Sequence, residues 1–332
     1  VATPAALAGA VTAAQSEATS SFGDGRVFLE RRLSGPRHIE IQLLGDAHGT
    51  VVPFVERECS IQRRHQKVVE ESPSLAVAPP TRREMAACAA RIAQSVGYTN
   101  AGTMEFLLDG DGHYYFLEMN TRLQVEHAIT EAVTGVDLVQ WQIRIARGER
   151  LTVSAQQALT PHGHAIECRI YAEDPDRGFM PAPGRVRALS VPGGPGVRDD
   201  RGVTPGFDVP VFYDSMISKL IVWGENRHEA IARLRRALDE YRVIGLATTI
   251  PFFQWLVREP DFLEGRFNTT YLDQVLEARA GRPFVEPSVR DLDAAAIAAA
   301  VAEWLRAQQP STRSVSPARG VWRRAARVDG LR

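Results

Sequence analysis

Residues 116–127 read FLEMNTRLQVEH, and Glu118, Asn120, Arg122, Gln124 and Glu126 alternate with Met119, Thr121, Leu123 and Val125. A period of two fits an extended chain, whose side chains point alternately to opposite faces. The segment is therefore expected to line up five polar groups along one face of a strand. An ordinary half-exposed antiparallel strand gives the same alternation, so the pattern constrains the fold before it says anything of chemistry.

The surrounding sequence alternates between the two periodicities. Residues 4–20 are Ala-rich and predict a helix, and RVFLERRL (26–33) predicts a strand. HIEIQLL, a turn at Asp46 to Gly49 and TVVPFVE predict a hairpin over 37–58. TRREMAACAARIAQSVG (81–97) predicts a helix capped by Thr81 and closed by Gly97. GTMEFLLDGDGHYYFLEM (102–119) predicts a second hairpin around Asp109–Gly112, and GVDLVQWQIRIARGE (135–149) another helix. A polar run at 150–162 marks an expected boundary. Strands are predicted near 163–172, 184–191 and 216–223. Helices are predicted over 226–241, which Asn226 can cap, near 250–258, and in YLDQVLEA. ARAGRPFVEPSVR is linker-like, and residues 291–309 form an Ala-rich helix. The last 23 residues are rich in Ser, Pro and Arg and are left unassigned.

At 332 residues the chain is long enough for about two domains. A net charge of −1 gives no bulk affinity for nucleic acid or membrane. Cys59, Cys88 and Cys168 are far apart and form no CxxC pair, which reads as reduced thiols in a cytoplasmic protein. No run approaches 18 apolar residues, so no membrane span is expected. The first residues lack a basic segment and are no signal peptide. The chain opens on Val1, not Met, as if its true beginning were missing.

Several polar groups are candidates for chemistry. With a turn at Asp109–Gly112, Leu108 faces His113 and Glu105 faces Phe116, so Glu118 lies diagonal to Glu105 on one face. A one-residue change in that loop reverses the parity. Glu105, Glu118 and Asn120 are good oxygen ligands for Mg²⁺, or else an exposed acidic face. Arg63, Arg64, His65 and Lys67, beside Gln62, read as a solvated basic loop or as a surface facing a polyanion. His38 and Glu40 add polar groups in period-two register. His127 reads as satisfying backbone groups. Glu167 and Arg169 share a strand face and suggest a structural ion pair, while Cys59 and Cys168 suggest packing. The Gly-rich run at 192–202 resembles no phosphate loop.

Four stretches together resemble the biotin carboxylases, which are ATP-grasp enzymes. They are RHIEIQLLGDAHGTVVPFVERECSIQRRHQKVVEESP, AGTMEFLLDGDGHYYFLEMNTRLQVEH, GHAIECRIYAEDP and FYDSMISKLIVWGENR. They occur in the family's order over roughly residues 22–275. The resemblance is to the biotin carboxylase part of acyl-CoA (acetyl- or propionyl-CoA) carboxylase alpha chains. Carboxylases for pyruvate, methylcrotonyl-CoA and urea share it. It implies that ATP phosphorylates bicarbonate and that carboxyphosphate yields CO₂ for the N1 atom of biotin. Glu105, Glu118 and Asn120 match the positions that hold Mg²⁺ or Mn²⁺ on ATP. Lys67, Arg122 and the backbone at Val125 match the bicarbonate site, with Gln124 counted among the cofactor-binding residues. Glu126 matches the general base, and Arg122 beside it is expected to keep it ionised. Arg169 matches the residue beside the biotin ureido oxygen. Glu30, Arg31, Arg32 and Leu33 match the segment that meets adenine, and His38, Gln62 and His65 match nucleotide contacts.

The same resemblance implies an α+β fold: a partial ATP-grasp domain over 1–150 and a biotin carboxylase C-terminal domain over 151–280. Residues 281–332 would be a linker and the start of a carrier-side region. The family's N-terminal domain, Gly-rich lid and two upstream ATP-binding lysines have no counterpart here, so the chain is expected to bind ATP poorly and turn over little. Ala128 stands where Pro is usual, loosening a turn next to Glu126, and Tyr171 stands where Asn is common. No Ala-Met-Lys-Met motif occurs, so biotin is expected on a biotin carboxyl carrier domain. A carboxyltransferase subunit and a homodimer partner are further expectations. The competing readings are another ATP-grasp ligase, such as a carbamoyl-phosphate synthetase half, and a non-catalytic assembly module.

Overall fold

The computed structural model describes residue 1 and residues 3–286 and 289–308. The chain divides into two compact units, Val1–Phe284 and Val285–Arg332. In the second, helix Val289–Gln308 falls where the Ala-rich run predicted one. The unassigned last 23 residues lie outside the described residues.

The first unit opens with helix α1 (Leu7–Phe22), where the Ala-rich run predicted one, and is built on one sheet. Its strands are β1 (Arg37–Gly45), β2 (Val51–Pro53), β3 (Arg57–Arg63), β4 (Gln66–Ser72), β5 (Asn100–Leu108), β6 (Tyr114–Asn120), β7 (His164–Tyr171), β8 (Val197–Arg201) and β9 (Met216–Gly224). Their order is β8-β9-β7-β4-β3-β1-β5-β6, with β2 paired to β1. β7 adds antiparallel to β4, so the sheet runs through the boundary expected near residue 150. A free edge on β4 is satisfied by backbone hydrogen bonds from beyond that boundary.

β1 shows how the alternation is used. Ile39, Ile41 and Leu43 pack with Met104, Phe106 and the small face of α2 (Pro79–Ser95). His38, Glu40 and Gln42, pointing the other way, are buried as well. A polar face is thus enclosed, which demands partners for every group. α3 (His127–Thr134) packs over β7 and β4, α4 (Leu138–Ala146) packs on β5, and α5 (Ala155–Leu159) packs on β2. On the far face of β7 and β9, α6 (Arg227–Glu240) covers an apolar core shared with Phe252, Phe253 and Phe262. Asn226 caps α6 as expected, accepting a 3.0 Å hydrogen bond from Glu229 N.

Several expectations are corrected. Residues 26–33 form no strand; Phe28 and Leu29 are 80% and 73% exposed, and no described strand pairs with them. α2 starts at Pro79 with Ala78 before it, so Thr81 lies inside the helix and does not cap it. The strand expected at 184–191 is two short ones, Gly184–Arg185 and Ala188–Ser190, each with a different partner. The alternating segment is a strand only as far as Asn120; residues 121–126 turn into α3. Among the described residues, no helix is long and apolar enough to cross a membrane.

Candidate active site

The turn of the β5–β6 hairpin is one residue longer than expected, since Leu108 pairs with Tyr114. That alone would turn Glu118 to the wrong face. A bulge at Leu117 cancels it: Phe106 pairs with Phe116 and Glu105 with Glu118. The two carboxylates therefore sit directly opposite each other. Asn120, two residues on, donates from Nδ2 to Glu105 Oε1 at 2.9 Å and to Glu118 at 3.3 Å.

The β3–β4 hairpin supplies the opposing wall. Arg64 and His65 both have positive φ, 50° and 66°, forming a tight two-residue turn that sends β4 back alongside β3. Lys67, just after it, reaches into the cleft. Its ammonium lies 2.9 Å from Glu105 Oε1 and 2.9 Å from Glu126 Oε1, and it also bonds Glu40. Burial works against its charge, but the carboxylates raise its pKa. Burial works against Glu105 likewise, yet His38 and Lys67 hold its carboxyl below the usual carboxylate range.

Glu126 is delivered by the turn that opens α3, and its second oxygen accepts from Arg169 Nη2 at 3.0 Å. Arg169 also donates from Nε to Glu70 Oε1 at 2.6 Å. Its partners are therefore Glu70 and Glu126, not the Glu167 beside it on β7. The cations on Glu126 are Lys67 and Arg169, not Arg122. Among the described residues Arg122 makes only long contacts, 3.3 Å to Asn120 Oδ1 and 3.4 Å to Leu123 O. Gln124 is turned inward and donates to Glu105 Oε1 at 2.8 Å. Val125 O accepts from Lys219 Nζ at 2.8 Å. His127 bonds Gln124 O through Nδ1 at 2.8 Å, a backbone role as expected. Ala128 is fully buried in the first turn of α3, so the turn beside Glu126 is packed rather than loosened.

These groups surround one cleft of about 670 Å³. It is lined by Arg32, Leu33, His38, Gln62, His65, Lys67, Glu105, Glu118, Asn120, Arg122, Gln124, Val125, Glu126 and Arg169. Glu30 and Arg31 stand exposed and are not among the lining residues. Tyr171 lines it as well, its hydroxyl pushed up to about 12 mainly by burial. Glu105, Glu118 and Asn120 fit a hard divalent cation: two carboxylates are opposed, Glu105 is held low enough to ligate without losing a proton, and among the described residues Glu118 has only one weak partner.

Sequence reasoning missed the support behind the cleft. Arg57 is fully buried and donates to Glu40 (2.9 Å), Gln42 (2.8 Å), Thr130 (3.1 Å), Thr103 (3.1 Å) and Gln124 (2.8 Å). Glu70 and Lys219 were also missed. Lys219 had a signal, a lone lysine inside the apolar strand MISKLIVWG. Glu70 and Arg57 sit among several charges in VVEES and VERECS, and nothing local separates them from surface residues.

Two family profiles match the chain: "Carbamoyl-phosphate synthase L chain, ATP binding domain" over residues 1–154 and "Biotin carboxylase C-terminal domain" over residues 167–274. The chain is 52% identical over 263 residues to a biotin carboxylase of Nostoc sp., covering 79% of this chain and 59% of that protein. It is 48% identical over 296 residues to the mitochondrial propionyl-CoA carboxylase alpha chain of Sus scrofa, covering 88% of this chain and 40% of that one. Among solved structures, the biotin carboxylase domain dimer of Hydrogenobacter thermophilus 2-oxoglutarate carboxylase, in complex with MgADP and bicarbonate, superposes with a TM-score of 0.78 at 45% identity. That match covers 84% of this chain and 61% of the other. Over these matched stretches the chain is a biotin carboxylase domain with the ATP-grasp type of fold, and it spans about six-tenths of the length of the Nostoc protein.

Proposed function

We propose that the chain contributes to ATP- and bicarbonate-dependent carboxylation of biotin, the first half-reaction of a biotin-dependent carboxylase. The observation that best supports this is the pair of cations on Glu126, Lys67 at 2.9 Å and Arg169 at 3.0 Å, with the loosely held Arg122 guanidinium in the same cleft. Arg122 offers a planar fork and Lys67 a point charge to bicarbonate. Val125 belongs to the same subsite, with Gln124 beside it. Glu126 accepts the bicarbonate proton at a carboxylate oxygen. Arg169 stabilises negative charge that develops on the ureido oxygen of biotin.

Glu105, Glu118 and Asn120 hold Mg²⁺ or Mn²⁺ on this reading. When bound, the ion neutralises phosphate oxygens of ATP, and biotin provides the nitrogen that accepts the carboxyl group. Glu30, Arg31, Arg32 and Leu33 are assigned to adenine, and His38, Gln62 and His65 to the rest of the nucleotide. The MgADP and bicarbonate in the Hydrogenobacter structure support these assignments. The match over 167–274 speaks against a carbamoyl-phosphate synthetase half.

The acceptor assigned is an acyl-CoA, acetyl- or propionyl-CoA. The support is the longer match to the Sus scrofa alpha chain, 296 residues against 263 for the Nostoc protein. Partners on this reading are a biotin carboxyl carrier domain, a carboxyltransferase subunit and a second copy of the chain. Residues 1–150 are assigned to the ATP-grasp part, 151–280 to the C-terminal part, and 281–332 to a linker and a carrier-side region. Three free cysteines, two of them buried, suit a cytoplasmic setting.

The test joins the chain to the part of the Nostoc protein that it does not span and follows ATP cleavage with bicarbonate. Stimulation by free biotin, lost in Arg169→Ala and Glu126→Gln, supports the proposal. Cleavage indifferent to biotin and to Arg169→Ala points instead to another ATP-grasp ligase.

A further inference from the structure

Behind Arg169 lie two carboxylates with no place in the scheme above. Glu70 on β4 and Glu167 on β7 are direct partners across the ladder. Both are 0% exposed. Glu70 Oε1 is held by Arg169, but Glu70 Oε2 and both oxygens of Glu167 have no hydrogen-bond partner among the described residues. Three partnerless oxygens on two opposed, fully buried carboxylates are costly if both groups are charged. Opposed carboxylates relieve this by keeping one proton between them.

The neighbours decide where that proton sits. From β7, Arg169 contacts Glu70 and leaves Glu167 alone. From β9, Lys219 stands across the ladder from Arg169, and its ammonium is committed to Val125 O at 2.8 Å, with Asp200 at 3.7 Å. Glu126, at the start of α3, and Lys67, on β4 itself, engage each other. Cys59 and Cys168 are thiols whose pKa burial raises well above the ordinary value. Glu167 is thus the member without a cation of its own.

We propose that Glu167 is kept as the neutral acid and shares its proton with Glu70, and that this buried pair sets the position of Arg169 against Glu126. Both are positioning residues, acting through Arg169, and the role rests on the reading of Arg169 and Glu126 given above. With one negative charge on the pair, Arg169 divides its guanidinium between Glu70 and Glu126. With two, it is drawn toward the pair and away from Glu126. Burial raises both groups, Glu70 to about 7 and Glu167 well above the usual carboxylate range, in line with one retained proton.

The experiment is NMR on the chain itself, with glutamate carboxyl carbons and arginine Nε labelled. The expected result is one protonated glutamate carboxyl at neutral pH that vanishes in Glu167→Gln. In Glu70→Gln the Glu167 midpoint should fall by about one pH unit or more, because a like charge is gone. The Arg169 Nε–H signal should follow the Glu167 titration in the native chain and lose that step in Glu167→Gln. Gln has the shape of the neutral acid, so this variant should fold even where Glu70→Gln does not. Ionised carboxyls throughout at neutral pH, a protonated signal that survives Glu167→Gln, or an Arg169 signal indifferent to the titration each overturns the proposal. These readouts need neither ATP nor biotin, so they stand or fall separately from the proposed function.

Discussion

Glu105 and Glu118 face each other across the β5–β6 ladder because two irregularities cancel: a turn one residue longer than expected and a bulge at Leu117. Without the bulge, Glu118 and Asn120 would both join the opposite face of the strand, away from Glu105. The divalent-ion assignment depends on this opposition. Replacing Glu118 with Gln should weaken Mn²⁺ binding by about tenfold or more, roughly 1.4 kcal/mol, while leaving the thermal transition nearly unchanged, because Glu118 is exposed. Calorimetric titration of Mn²⁺ into both proteins checks it; equal affinities would remove Glu118 from the metal site.

Arg57 carries the enclosed polar face. Truncating one partner of a buried ion pair strands the other, a loss of about 3–5 kcal/mol. Arg57→Ala should be destabilised by that order in urea unfolding, leaving Glu40 uncompensated by its guanidinium. Adding Glu40→Gln should recover part of the loss. A double variant no more stable than the single one would mean that the pair is not what holds this face.

Lys67 links acid stability to the site. Glu105 has a folded pKa below its ordinary value, so its contribution is fully present above about 4.3 and is lost as pH falls through the folded value. Removing the Lys67 charge raises that folded value. Lys67→Met should therefore begin to lose stability at higher pH than the native chain during acid unfolding. Superimposable acid transitions would contradict the link.

Glu167 works with the opposite sign. Burial raises its folded pKa, so the unfolded chain releases its proton first and the native state loses stability as pH rises above about 4.3. Glu167→Gln removes that loss. Its melting temperature should match the native chain near pH 4 and exceed it increasingly toward neutrality, as scanning calorimetry can show.

The sequence made the strands and the cleft residues legible for one reason: alternation and local motifs are written in neighbouring positions. β1, the hairpins and the Asn226 cap were read that way. The reading failed where the answer depends on distant chain. Residues 26–33 look like a strand but have no described partner. Nothing near residue 150 announces that β7, beyond it, pairs with β4. The partner of Arg169 was expected on its own strand as Glu167 and is Glu70, almost 100 residues away. Arg57 stayed hidden because its five acceptors are scattered from Glu40 to Thr130.

The central claim is that Lys67, Arg122 and Glu126 form a bicarbonate site, and the most direct measurement is ¹³C-bicarbonate binding to the chain, followed by line broadening. The account predicts saturable binding that falls about tenfold or more in Arg122→Ala and in Lys67→Met, and that survives Arg64→Ala on the outer turn. Binding unchanged by Arg122→Ala and Lys67→Met, or no saturable binding by the folded chain, would contradict it.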